Sequence, residues 1–162
     1  PELLAAAEAV IKNWQAFGAE VELKTFELGD LNQNVIRPRK YQALFFGEVV
    51  GRDPDPFAFW HSSQRLDPGL NVAMYANISV DKLLTDIRIT ENRDERNKKL
   101  TTFDEIIRTE HPAVFLYAPL FVYLLPSQIA GVKLPALVTS ADRFTTVYKW
   151  YTKVDNVWPF FK

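Results

Sequence analysis

Leu3, Leu4, Ala7, Val10, Ile11, Trp14 and Phe17 recur at three- and four-residue steps, while Glu2, Glu8, Lys12 and Gln15 fall mostly between them. That spacing predicts one apolar stripe on a first helix, with Trp14 turned into a core. Gly18 supplies a stop, because it accepts the left-handed conformation of a helix C-cap. The period then changes. In "AEVELKTFEL" Val21 and Leu23 alternate with Glu20, Glu22 and Lys24, as expected for a half-buried strand. Asp30 is placed to cap a short helix over "LNQNVI", which "RPRK" ends. "YQALFFGEVV" is a nearly continuous apolar run, the pattern of a strand covered on both faces. Helix, strand, helix, strand in succession predicts an α/β unit with a crossover connection. Further on, Ser79 is expected to cap a helix carrying Val80, Leu83, Leu84 and Ile87 on its inner face. Asp94 is expected to cap another carrying Leu100, Phe103, Ile106 and Ile107. "RNKK" forms that helix's solvated side, His111 and Pro112 mark its end, and "AVFLYAP" and "FVYLLP" read as two more strands.

Between these patterns runs a stretch without a clear period, from Gly51 to Asn77. Loops of that length are usually functional or disordered, and Phe57, Phe59, Trp60 and Tyr75 argue for order. Two Asp-Pro pairs, Asp53–Pro54 and Asp55–Pro56, stiffen its entry. Three uses fit such a segment: paired acids for catalysis, a turn whose carboxylates accept backbone N–H groups, or the rigid rim of a ligand groove. An acid pair for glycoside cleavage faces across a substrate from separate elements, which two acids in one loop do not supply. "WHSSQ" offers Ser62 beside His61, but it is not a G-x-S-x-G elbow, and a sequence-adjacent histidine is poorly placed as base. His61 and His111 are the only imidazoles and lie in different elements, so no metal-ligand spacing exists. No glycine-rich phosphate loop is present either.

The 162 residues, 48% hydrophobic and 14% aromatic, suffice for one packed domain. A net charge of -1 without a basic run gives no footprint for nucleic acid. The absence of cysteine excludes disulfides, thiolate zinc sites and thiol catalysis together. The longest apolar run, "PAVFLYAPLFVYLLP", is broken by Pro119 and falls short of the ~18 residues a membrane span needs. The chain opens at Pro1 without an initiator methionine and enters a helical pattern at once, so it is expected to be a piece of a longer protein. Trp60, Trp150 and Trp158 fall in irregular segments, where tryptophan serves either core or groove.

Taken in order, several segments form a fairly specific set. They are the strand ending in Gly47, the Asp-Pro loop, "HSSQ", Asn71, Tyr75–Asn77, "VDKLL", the Arg96-bearing helix with "FDEII", and "PAVFLY". This order resembles the C-terminal portion of family 5 extracellular solute-binding proteins, the dipeptide-, oligopeptide- and nickel-binding receptors of ABC importers. The upstream "AAAEAVIKNWQAFGAEVELKTFE" fits as well. The resemblance implies an α/β fold of the type II periplasmic-binding-protein kind, with a mixed sheet flanked by helices. Residues 1–162 would be a single domain, most of the C-terminal lobe of a two-lobe protein. It implies a non-catalytic role: closing on a peptide or similar small solute together with the N-terminal lobe of the same protein, and delivering it to ABC permease subunits. It implies no cofactor, no nucleic acid, and an extracytoplasmic location, periplasmic or lipid-anchored at the cell surface. Peptide-binding members carry "GW-x-x-D" after this strand. Here "GEVVGRDPDP" puts Glu48 where the Trp stands, and Gly51 or Arg52 where the Asp stands. The expected ligand contacts are therefore Glu48, Arg52, Asp53, Asp55, Trp60 and His61. The alternative is a hydrolase using the loop carboxylates, or Ser62 with His61.

Overall fold

The computed structural model describes residues 2–50, 55–134 and 137–152. Two compact units result, one from Pro1–Glu48 with Asp55–Ala113, the other from Val49–Pro54 with Val114–Lys162.

In the first unit α1 (Glu2–Ala16) ends as its glycine requires. Gly18 sits at φ 87°, its N–H donates to the Gln15 carbonyl at 2.9 Å, and Ala19 N–H reaches back to Trp14 at 3.1 Å. These two bonds form a Schellman cap. The stripe itself is not buried as expected. Only Ala7 is fully buried and Val10 and Ile11 are half-buried, while Trp14 remains 43% exposed and Phe17 92%. Periodicity makes a helix amphipathic but supplies no partner for its apolar side. After α2 (Leu28–Asp30) the backbone continues as a π-helical segment, Leu31–Ile36, which buries Val35 and Ile36. Asp30 caps nothing with its side chain and instead accepts a hydrogen bond from Asn34.

The core lies between α4 (Ile78–Ile89) and α5 (Arg93–Glu110), joined by Thr90–Asn92. Val80, Leu84 and Ile87 meet Phe103 and Ile107, with Tyr75 buried beside them. Leu83, Leu100 and Ile106 pack at the margin, together with Phe57 and Trp60 of α3 (Phe57–Trp60). These inner faces are the ones the periodicity predicts. The caps lie two residues earlier than expected. Asn77, not Ser79, accepts from the amides of Ser79 and Val80. Asn92, not Asp94, accepts from those of Asp94 and Glu95. An N-cap side chain must reach forward to amides two and three residues on, so it precedes the helical run. His111 closes α5 in the left-handed conformation, φ 53°.

The expected fold class is not what forms. Of the described residues 48% are helical and 3% are strand, so a mixed sheet flanked by helices is absent among them. The one sheet among the described residues lies in the second unit, where β1 (Ile129–Ala130) pairs antiparallel with β2 (Tyr151–Thr152). "AEVELKTFEL", "YQALFFGEVV", "AVFLYAP" and "FVYLLP" carry no ladder among the described residues. Leu120 is 92% exposed, with Val114, Val122 and Leu124 open nearby. The physical reason is that a helix closes its backbone bonds within four residues, whereas every strand bond needs a second strand at the right register. Alternation and apolar runs favour an extended chain without providing that partner.

Beside this small sheet, the second unit clusters Phe121, Tyr123, Phe144 and Trp150, ring centroids 6.1–6.4 Å apart. Arg143 lies over three of these rings. Trp150 is thus a packing residue of its own unit; Trp158 lies outside the described residues. No described helix is long and apolar enough to cross a membrane.

Candidate functional site

The aperiodic stretch becomes ordered through side chains that bind backbone. Asp55 accepts from the Phe57 amide at 3.2 Å, opening the turn into α3. Its carboxylate is also gripped by Arg88 of α4, from Nε at 2.9 and 3.1 Å and from Nη2 at 2.6 Å. The Arg88 hydrogen bond holds the Asp55 carboxyl below the usual carboxylate range, against the opposing effect of burial. The Arg88 guanidinium lies 3.8 Å over the Phe57 ring, and Phe57 stacks on His61 with centroids 4.0 Å apart and planes 20° apart. Arg88, Phe57 and His61 form one continuous pile.

His61 then starts a 3-10 turn, Ser62–Gln64. Ser62 donates its amide to Asp81 Oδ1 at 2.8 Å and its hydroxyl to Oδ2 at 2.6 Å. Burial pushes the Asp81 carboxyl up, but the Ser62 bonds outweigh it and the net shift is downward. Ser63 donates its amide to His61 Nδ1 at 3.1 Å, and its Oγ lies 2.8 Å from the same nitrogen. Asp81 Oδ1 stands 3.9 Å from that nitrogen too. A serine relay needs the nucleophile on one ring nitrogen and the carboxylate on the other. Here both approach Nδ1, and the Ser62 proton goes to Asp81. These bonds hold the turn in shape and do not activate a hydroxyl.

From below, fully buried Asn71 fixes the return of the chain. Its Nδ2 donates to the carbonyls of His61 (3.1 Å) and Tyr75 (3.0 Å), and its Oδ1 accepts from Tyr75 N–H at 3.1 Å. Tyr75 in turn donates its hydroxyl to Glu110 at 2.6 Å; burial, then this bond, push its phenol up to about 12. A second clamp comes from "RPRK". Arg37 pairs bidentately with Asp67 at 2.9 and 3.0 Å, and Arg39 donates to the carbonyls of Ile36, Arg65 and Gly69. Gly69 has no substitute here, because a Cβ would stand 2.2 Å from the Gln64 carbonyl oxygen.

Two concavities flank this ordered turn. An open depression of about 370 Å3 is lined by His61, Asp81, Lys82, Thr85, Asp86 and Ile89. A narrower cavity of about 170 Å3 includes Ile36, Phe46, Glu48, Phe59 and Val72 in its wall.

The expected contacts therefore separate. Asp55 and His61 come together around Phe57 and Arg88. Trp60 belongs to the core margin, edge-on to Tyr75 (6.1 Å) and Phe103 (6.3 Å). Glu48 stands on the narrower cavity. Arg52 and Asp53 lie outside the described residues. Sequence reasoning missed Asp81 and Arg88. Their seven-residue spacing puts both on one edge of α4 with Thr85 between, which was the available signal. Asn71 was marked only as one member of the ordered set of segments, and its bonding role depends on the fold around it. Comparison of the chain with protein-family models, curated proteins and solved structures finds no match.

Proposed function

We propose that this chain binds a small solute without transforming it, as part of an extracytoplasmic solute-binding protein that delivers peptides or similar solutes to an ABC importer. The observation that carries the reading is the open depression beside His61, whose ring is held from a rigid turn. The carboxylates and hydroxyls of that turn are engaged in structural bonds. What it offers a ligand is fixed shape, an aromatic stack and the unshared edge of an imidazole. A rigid wall lowers the entropy a ligand must give up on binding. The closing partner would be the N-terminal lobe of the same protein, and the acceptor the permease.

Titrating di- and tripeptides into the 15N-labelled chain tests this reading. Saturable amide shifts are expected at Phe57–Gln64 and Asp81–Ile89, with millimolar affinity because one wall acts alone. Absence of any saturable shift would defeat the binding role. Turnover of chromogenic esters that disappears in Ser62→Ala would defeat the non-catalytic role.

A further inference from the structure

The second concavity is separate from the His61 face: Phe59 borders it, and neither Phe57 nor His61 does. Ile36, Phe46, Phe59, Leu70 and Val72 make its wall largely apolar. Four charged groups also face it, and three are engaged. The Arg37 guanidinium is taken by Asp67 and Gln33, and that of Arg39 by three carbonyls. Glu48 makes no hydrogen bond or ion pair among the described residues. It lines the cavity with the residue as a whole exposed, and the protein around its carboxyl pushes its pKa up. The cavity thus pairs an apolar wall with one carboxylate that no cation among the described residues engages.

We infer that this cavity is a binding site for a small organic cation: a primary ammonium attached to an apolar body about the size of a benzene ring. Size follows from the volume of about 170 Å3, since an apolar cavity of roughly 150 Å3 accepts benzene. Charge follows from Glu48. An ammonium donates to it and neutralises it, a neutral ligand leaves it unpaired, and an anion meets it as a like charge. Asp67 neutralises Arg37, and Arg39 turns Nε, Nη1 and Nη2 to backbone carbonyls, so neither directs its bonded donors at an anion in the cavity.

The test uses the full chain with 13C-labelled Ile, Leu and Val methyl groups. Benzylamine, benzyl alcohol and benzoate are titrated separately at one ionic strength. Benzylamine is expected to give saturable shifts at the methyls of Ile36, Leu70 and Val72, binding roughly tenfold tighter than benzyl alcohol, with benzoate giving none. Glu48→Gln should bring benzylamine down to the level of the alcohol while leaving the alcohol unchanged. Equal binding of amine and alcohol by the unaltered chain overturns the inference. So does an amine preference that survives Glu48→Gln, or shifts only at methyls outside this wall. The peptide titration reads other residues, so either result stands without the other.

Discussion

Replacing Asn71 by alanine removes three hydrogen bonds from a fully buried position and leaves their partners in place. Two of those partners, the Tyr75 N–H and carbonyl, are themselves buried; the third, the His61 carbonyl, is only partly so. A buried group stripped of its partner costs about 1–3 kcal/mol, more than the net worth of the bond when made. Two such groups, with the His61 carbonyl turning to water, give a loss of roughly 2–6 kcal/mol. That is a large part of the about 5–15 kcal/mol typical of a whole domain. Urea unfolding followed by far-UV circular dichroism measures it, as a lower midpoint at unchanged slope. Hydrogen exchange supplies the local readout, because the Tyr75 amide should lose its protection. Asn13→Ala, on the exposed side of α1, serves as the control and should stay within about 0.5 kcal/mol. Should Asn71→Ala also fall within about 0.5 kcal/mol of the unaltered chain, the claim that this carboxamide organises the His61–Tyr75 return is wrong.

The corrected caps yield a paired test: Asn92→Ala should cost about 1 kcal/mol, whereas Asp94→Ala should cost clearly less, by thermal or urea melts. A larger loss from Asp94→Ala would restore the sequence-based cap. Asp55 has a depressed carboxyl pKa, so its contribution to stability is complete above the unfolded value of ~3.9 and is lost as pH falls through the lower folded value. Asp55→Asn should therefore flatten the pH dependence of stability below about pH 4 and nowhere else. Tyr75 is the opposite case: its raised pKa of about 12 makes its contribution complete below ~10 and lost as pH climbs toward the folded value. Ultraviolet phenol titration of the folded chain should show a tyrosine ionising only near pH 12 that Tyr75→Phe removes; an unchanged titration would refute the assignment.

Helices were legible in the sequence because their information is local. The stripe on α1, the stop at Gly18, and the faces of α4 and α5 each follow from residues within a turn or two of one another. The ordering of the segment from Asp55 to Asn77 was legible as well, since a proline and clustered aromatics restrict the backbone around them. Its chemistry was only half visible. Asp55 and His61 were marked by composition, yet their work is set by Arg88 and Asp81, 33 and 19 residues away from the groups they bind. Tertiary structure decided which acid meets which cation, that Trp60 turns to the core, and that Glu48 stands on a cavity of its own. It also decided against a mixed sheet among the described residues. Turn and helix preferences are written within a few residues, but strand pairing, buried polar networks and cavities depend on segments that only folding brings together.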